Sequence, residues 1–143
     1  MSEPLIITES FVAENIDRIP YAKFLGIKPL MMGEELTMIM PYTDSVIGNP
    51  VLPALHGGAV SAFMEITAIV TLAIDTKSTR FAKPIGVNID YLRRGHPKDT
   101  YARATVARLG SRVANVSVRA WQDSFDKPIT VLHGHFMLPR SHD

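Results

Sequence analysis

Two periods of apolar and polar positions run along this chain. From Arg112 to Gln122 the alternation is strict, with Ala114, Val116, Val118 and Ala120 set against Asn115, Ser117 and Arg119. A period of two predicts a strand with one buried face. Lys83 to Arg93, Thr100 to Arg108 and Pro128 to Leu138 also read as strands, with turn residues at Gly95-His96-Pro97, Gly110-Ser111 and Asp123 to Lys127. Connections this short predict that consecutive strands are antiparallel neighbours. Nearer the N-terminus, Ile27 to Met32 and Glu35 to Pro41 read as two further strands joined at Gly33-Glu34; in the second, Leu36, Met38 and Met40 alternate with Thr37 and Ile39. Thr8 to Leu25 reads as helical, capped by Thr8 or Ser10, divided at Pro20 and ended by Gly26. Tyr42 to Leu55, bordered and broken by Pro41, Pro50 and Pro53, reads as a loop. A single long run, Ala59 to Ile74, is apolar nearly all round and predicts a helix buried on nearly all sides, ending between Asp75 and Ser78.

These elements define an architecture. One arrangement buries such a helix with about six strands: the antiparallel sheet curls around it, which is the α+β hotdog fold. One curled sheet leaves a helix flank and a sheet edge open, and pairing two chains closes both, so a homodimer is the expected minimal unit. The 143 residues suit a single domain, 1–143, with 1–25 as an N-terminal helical segment.

Composition changes this picture little. Apolar residues are 46% and charged residues 20%, as in ordinary globular chains, and the formal net charge of +1 gives no reason to expect nucleic acid or an anionic surface as partner. The absence of cysteine excludes disulfides, thiolate metal sites and a cysteine nucleophile. Met1 to Ser10 lacks the basic start and apolar run of a secretory signal, and Ala59 to Ile74 is short for a bilayer span and carries Glu65 at its middle. The expectation is a cytoplasmic protein with no membrane partner.

Glu65 is the only ionisable side chain between His56 and Asp75. A carboxylate in such surroundings costs several kcal/mol unless it is paired or changes protonation state. It is either a structural Glu, hydrogen-bonded or exposed through a gap in the sheet, or a functional acid. His56-Gly57-Gly58 opens the same helix. Glycines there admit close approach of a ligand, and free N–H groups of a first turn suit a polarised carbonyl oxygen. The other reading is a plain glycine-rich helix entry. Glu65 lies nine residues beyond His56. That is ~180° around a helix and ~13 Å along it, so the two cannot meet at one small reacting group of one chain. If both act, the site is shared between two chains.

The stretch His56-Gly57-Gly58-Ala59-Val60-Ser61-Ala62-Phe63-Met64-Glu65 resembles the signature of hotdog thioesterases of the phenylacetate-pathway (PaaI-like) type. So do the strand Val87-Asn88-Ile89-Asp90-Tyr91-Leu92-Arg93 and the spacing from Asp99 through Gly110-Ser111-Arg112 to the last strand. The resemblance implies hydrolysis of acyl-CoA to free acid and CoA without metal or organic cofactor, and a homotetramer built from two dimers. It implies Glu65 as general base or nucleophile, His56 beside the thioester, and the Gly57 N–H as oxyanion donor, with Gly58 adjoining. Many such proteins carry Asn or Gln six residues before the histidine. Here Pro50 stands at that position and Asn49 one further back. Arg93 matches the family's arginine, but Arg94 stands where Pro is usual; both suit CoA phosphates or a solvated rim. The water-holding Ser or Thr of the family has no clear counterpart, with Thr67 and Thr79 as candidates. His133 and His135 share a strand face, yet no third ligand is evident, so no metal is expected.

Two other readings belong to the same architecture. A hydroxyacyl-carrier-protein dehydratase is suggested by Gly48-Asn49-Pro50-Val51-Leu52-Pro53, but Ser45 and Ala59 stand where that family has its histidine and glutamate. A non-catalytic acyl-CoA-binding or sensing protein would keep the pocket and dispense with Glu65.

Overall fold

The computed structural model describes residues 8–32 and 35–140. The start of the expected N-terminal segment, the Gly33-Glu34 turn and the Met32 side chain lie outside the described residues. Helix α1 (Glu9–Asp17) is capped by Thr8, whose Oγ1 accepts from the Phe11 N–H at 3.2 Å. Helix α2 (Pro20–Leu25) starts on Pro20 and ends on Gly26, which at φ 72° takes the left-handed conformation that glycine adopts without strain. Strands β1 (Lys28–Met32) and β2 (Glu35–Met40) follow. The segment expected to be a loop holds one short 3-10 turn and a two-stranded ribbon, β3 (Ile47–Asn49) with β4 (Ala54–Leu55).

Helix α3 (Gly57–Thr76) is the long apolar helix; it stops at Lys77, a non-glycine residue at φ 54°. Strands β5 (Lys83–Tyr91), β6 (Thr100–Leu109), β7 (Val113–Trp121) and β8 (Thr130–Met137) complete a six-stranded antiparallel sheet in the order β1-β2-β6-β7-β8-β5. The expectation that consecutive strands are neighbours therefore fails once. β5 pairs with β8, and β6 inserts between β2 and β7. The link 92–99 is what permits this. Three strand positions are ~14 Å at ~4.8 Å each, and eight extended residues reach ~26 Å, so the chain crosses over the sheet end.

α3 packs across the concave face, chiefly on β6 and β7. Phe63, Met64, Ala68 and Val70 from the helix are fully buried against Met38, Ala102, Ala114, Ala120, Leu132 and Phe136 from the sheet. The small alanines of β6 and β7 let the helix lie close, and the methionines and Phe136 fill the flanks. Losing one large member such as Phe63 to alanine costs ~3–5 kcal/mol in comparable cores. Val12, Ile16, Ala22 and Leu25 carry α1 and α2 onto the same core. α3 is long and apolar enough to cross a membrane by composition, but most of it is buried inside the protein. Its least covered residues near the N-terminal half, Ser61, Ala62, Glu65 and Ile69, fall within one arc of ~100° at ~100° per residue. Strand β5 presents the second open feature, a sheet edge with Ile85 and Tyr91 each 55% exposed.

Candidate active site

The start of α3 is tightly organised. His56 is the N-cap, and its Nδ1 accepts the Gly58 N–H at 2.9 Å. A ring nitrogen that accepts carries no proton, so this cap selects the tautomer with hydrogen on Nε2. The His56 N–H donates to the Val46 carbonyl at 2.8 Å, anchoring the cap to the loop before β3. Gly48 lies against it: a Cβ there would come within 2.8 Å of the His56 Cα. The Tyr91 hydroxyl, at the end of β5, donates to the Gly57 carbonyl at 2.9 Å. No acceptor among the described residues takes the Gly57 N–H, so it is free to meet a ligand.

Both glycines have structural reasons beyond ligand access. A Cβ on Gly57 would lie 3.2 Å from the Tyr91 ring, and one on Gly58 would lie 2.7 Å from His56 Cε1. The two glycines thus let Tyr91 and the His56 ring pack closely over the same turn.

Glu65 has the opposite character. It sits half-buried on the open stripe of α3, and burial alone raises its pKa above the ordinary carboxylate value. None of the described residues hydrogen-bonds or ion-pairs with it. The single helix α3 carries both His56 and Glu65, and its regular geometry keeps them ~13 Å apart on opposite faces.

Of the remaining sequence-predicted residues, Asn49, Arg93 and Arg94 are partly engaged by the chain itself. Asn49 Oδ1 accepts from the Val51 and Leu52 N–H groups at 3.0 and 3.2 Å, closing the turn over Pro50 and leaving the Nδ2 donors outward. Arg93 donates to the Pro128 carbonyl at 2.6 Å. Arg94 donates to the Leu52 carbonyl at 3.1 Å, and with the Leu55 N–H on the Gly95 carbonyl at 2.9 Å it ties the Asn49 loop to the segment after β5. Neither arginine is exhausted by one bond, and both are exposed. Thr67 is buried and its hydroxyl donates to the Phe63 carbonyl, so it faces the core and not the Glu65 stripe. Thr79 lies beyond the far end of α3, where its carbonyl takes Arg18. His133 and His135 lie on the exposed sheet face, with His133 Nδ1 and Ser117 Oγ hydrogen-bonded at 2.9 Å. Among the described residues there is no group of three or more His, Cys, Asp or Glu placed to hold a metal.

Sheet order, wrapped helix and apolar core define a hotdog protein. Residues 49–138 match the acyl-CoA thioesterase N-terminal domain family, and the chain belongs to that family. A crystal structure of a Chromobacterium violaceum protein is 33% identical at a TM-score of 0.74, covering 92% of this chain and 92% of that one. A Ralstonia eutropha phenylacetic acid degradation-related protein is 21% identical at a TM-score of 0.72, covering 89% of this chain and 98% of that one. A Bacillus halodurans protein solved with CoA is 19% identical at a TM-score of 0.73, covering 95% of this chain and 97% of that one. No protein of curated function matches.

Proposed function

We propose that this chain hydrolyses acyl-CoA thioesters, with Glu65 of one subunit and the α3 start of a second copy forming each site. The observation that carries the reading is the contrast at α3: free donors at its start, and an unpartnered, half-buried carboxylate one side away and ~13 Å along. Family membership supports the thioester bond as target, and the CoA seen in the Bacillus halodurans relative supports CoA as leaving group. The open stripe of α3 and the free edge of β5 are the surfaces through which two chains would pair, and two such dimers would give the homotetramer the resemblance implies.

Each part has a chemical task. The thioester carbonyl oxygen receives the Gly57 N–H and the His56 Nε2–H, donors that strengthen as negative charge develops on it. The first turn's partial positive charge favours the same oxyanion. Glu65 then removes a proton from water as its oxygen attacks the carbonyl carbon; the C–S bond breaks, and the sulfur leaves as CoA thiolate and takes up a proton. Alternatively the carboxylate attacks first and water opens the resulting anhydride. In single turnover in ¹⁸O water, label in Glu65 marks the anhydride route, since only water attacking the Glu65 carbonyl of an anhydride places it there. Asn49 Nδ2, Gly58, Arg93 and Arg94 are the further groups assigned to substrate in this reading, the arginines suited to CoA phosphates.

Subunit complementation tests the shared site. Glu65→Ala and His56→Ala chains are mixed under conditions that exchange subunits. Random mixing makes half the dimers mixed, each with one intact site of two, so activity recovers to about a quarter of wild type. No recovery, with exchange confirmed by mass spectrometry, would refute the cross-chain assignment.

A further inference from the structure

We propose that Tyr91 is a positioning residue for the oxyanion donors, acting through the Gly57–Gly58 peptide and the His56 ring; the inference rests on the hydrolase reading above. The Gly57 carbonyl and the Gly58 N–H belong to one planar peptide unit. Tyr91 holds its oxygen at 2.9 Å, and His56 Nδ1 holds its N–H at 2.9 Å. The unit is thus pinned at both ends by two side chains that come from different elements, the last residue of β5 and the N-cap of α3.

The direction of these bonds matters. The Tyr91 hydroxyl donates into the carbonyl and draws electron density toward it, which makes the Gly58 N–H a better donor to Nδ1. That bond selects the His56 tautomer with Nε2–H and fixes the plane of the ring. One continuous chain of donors and acceptors therefore runs from the Tyr91 oxygen to the Nε2–H that faces the substrate. The same contact orients the first turn, on which the free Gly57 N–H stands. The Tyr91 ring lies so close to Gly57 that a Cβ there would sit 3.2 Å from it, so ring and glycine form a matched pair. Nothing in this chain of bonds touches Glu65, and Tyr91 itself needs no contact with substrate.

Tyr91→Phe keeps the ring against Gly57 and removes only the hydroxyl. The variant is compared with wild type after sedimentation has shown the same assembly. Four quantities are read: kcat and KM on the best acyl-CoA, hydrogen exchange of the Gly58 amide, and the ¹⁵N shifts of the His56 ring. The expected result is a kcat lower by about two- to tenfold, the size of one net hydrogen bond, with KM held. Faster Gly58 exchange and a His56 ring that samples both tautomers accompany it. An unchanged kcat overturns the proposal, whether or not the amide loosens, and so does a rise in KM with kcat intact, which would make Tyr91 a binding contact. A wild type inert toward every acyl-CoA would defeat the hydrolase reading instead. The exchange and ring shifts would then still decide the pinning: if both match wild type in the variant, Tyr91 holds nothing.

Discussion

The two parts of the proposed site are built in opposite ways. At the α3 start, the His56 N–H, its Nδ1, and both ends of the Gly57–Gly58 peptide have partners within the chain. At Glu65 the carboxylate has none among the described residues, and burial works against its charge. The first region aligns its donors with contacts that also stabilise the fold. The second holds a carboxylate at the expense of stability, the arrangement expected of a functional carboxylate whose protonation state must change. Lesions at the helix start should therefore lose stability and turnover together, whereas a lesion at Glu65 should lose turnover and gain stability.

The largest effect is expected at Glu65. Glu65→Gln keeps size and shape but removes the base, and kcat should fall by ~10² or more. In the wild type the base works only when ionised. Its raised pKa therefore places the acid limb of the kcat/KM profile above the ordinary value of 4.5, and the limb should vanish from the residual activity of the Gln variant. Near wild-type turnover, or a limb that persists, would take Glu65 out of the mechanism and remove one side of the contrast.

A smaller and differently composed effect is expected at Gly58. A Cβ there would stand 2.7 Å from His56 Cε1, so Gly58→Ala swings the ring off its cap. Loss of an N-cap costs about 1 kcal/mol, or roughly 4 °C in Tm for a chain of this size. Turnover should fall by about tenfold, the size of one net hydrogen bond, as the Nε2–H loses its aim. Differential scanning calorimetry and a thioesterase assay on the same sample give both numbers. A fall in one without the other would show that cap and donor are separate devices.

What the chain discloses before folding follows the same division. Thr8, Pro20 and Gly26 mark helix ends because capping and backbone preferences are local, and each stands at the boundary it predicts. The left-handed stop at Lys77 carries no such signal. Alternation assigned the buried face of β7 correctly, since side-chain direction has a period of two, but it holds no information on neighbours. The displacement of β5 to the edge beside β8 depends on which surface the whole sheet must wrap. Glu65 stands out in a sequence because its surroundings are its own helix. Tyr91 does not, because its partner lies 34 residues away and a tyrosine at a strand end reads as surface. The engagement of Asn49 was closer to legible: Asn followed by Pro is a turn signal, and the turn is what occupies its Oδ1.

The smallest expected effect concerns the stability of the same Glu65→Gln variant, and it tests the second half of the contrast most directly. Because the folded-state pKa of Glu65 lies above its unfolded value of 4.5, the folded protein binds more protons than the unfolded chain in the window between the two values. Stability of the wild type then falls as pH rises through that window, and the loss is complete above the folded-state pKa. Glutamine carries no charge in either state and is exempt. Below the unfolded value, wild type holds a neutral carboxylic acid of nearly the same shape, so the two proteins should melt together. Above the folded value, Glu65→Gln should melt higher. The gain should be modest, because Glu65 is only half-buried and water screens part of its charge. Thermal melts of both proteins at pH 4 and pH 8, compared as differences, cancel the titration of every other group. A Tm difference that grows with pH confirms a carboxylate held against its preference. A difference of zero at both pH values would mean that the assembled protein supplies Glu65 with the partner that the single chain withholds, and the poised acid would then be as well satisfied as the helix start opposite it.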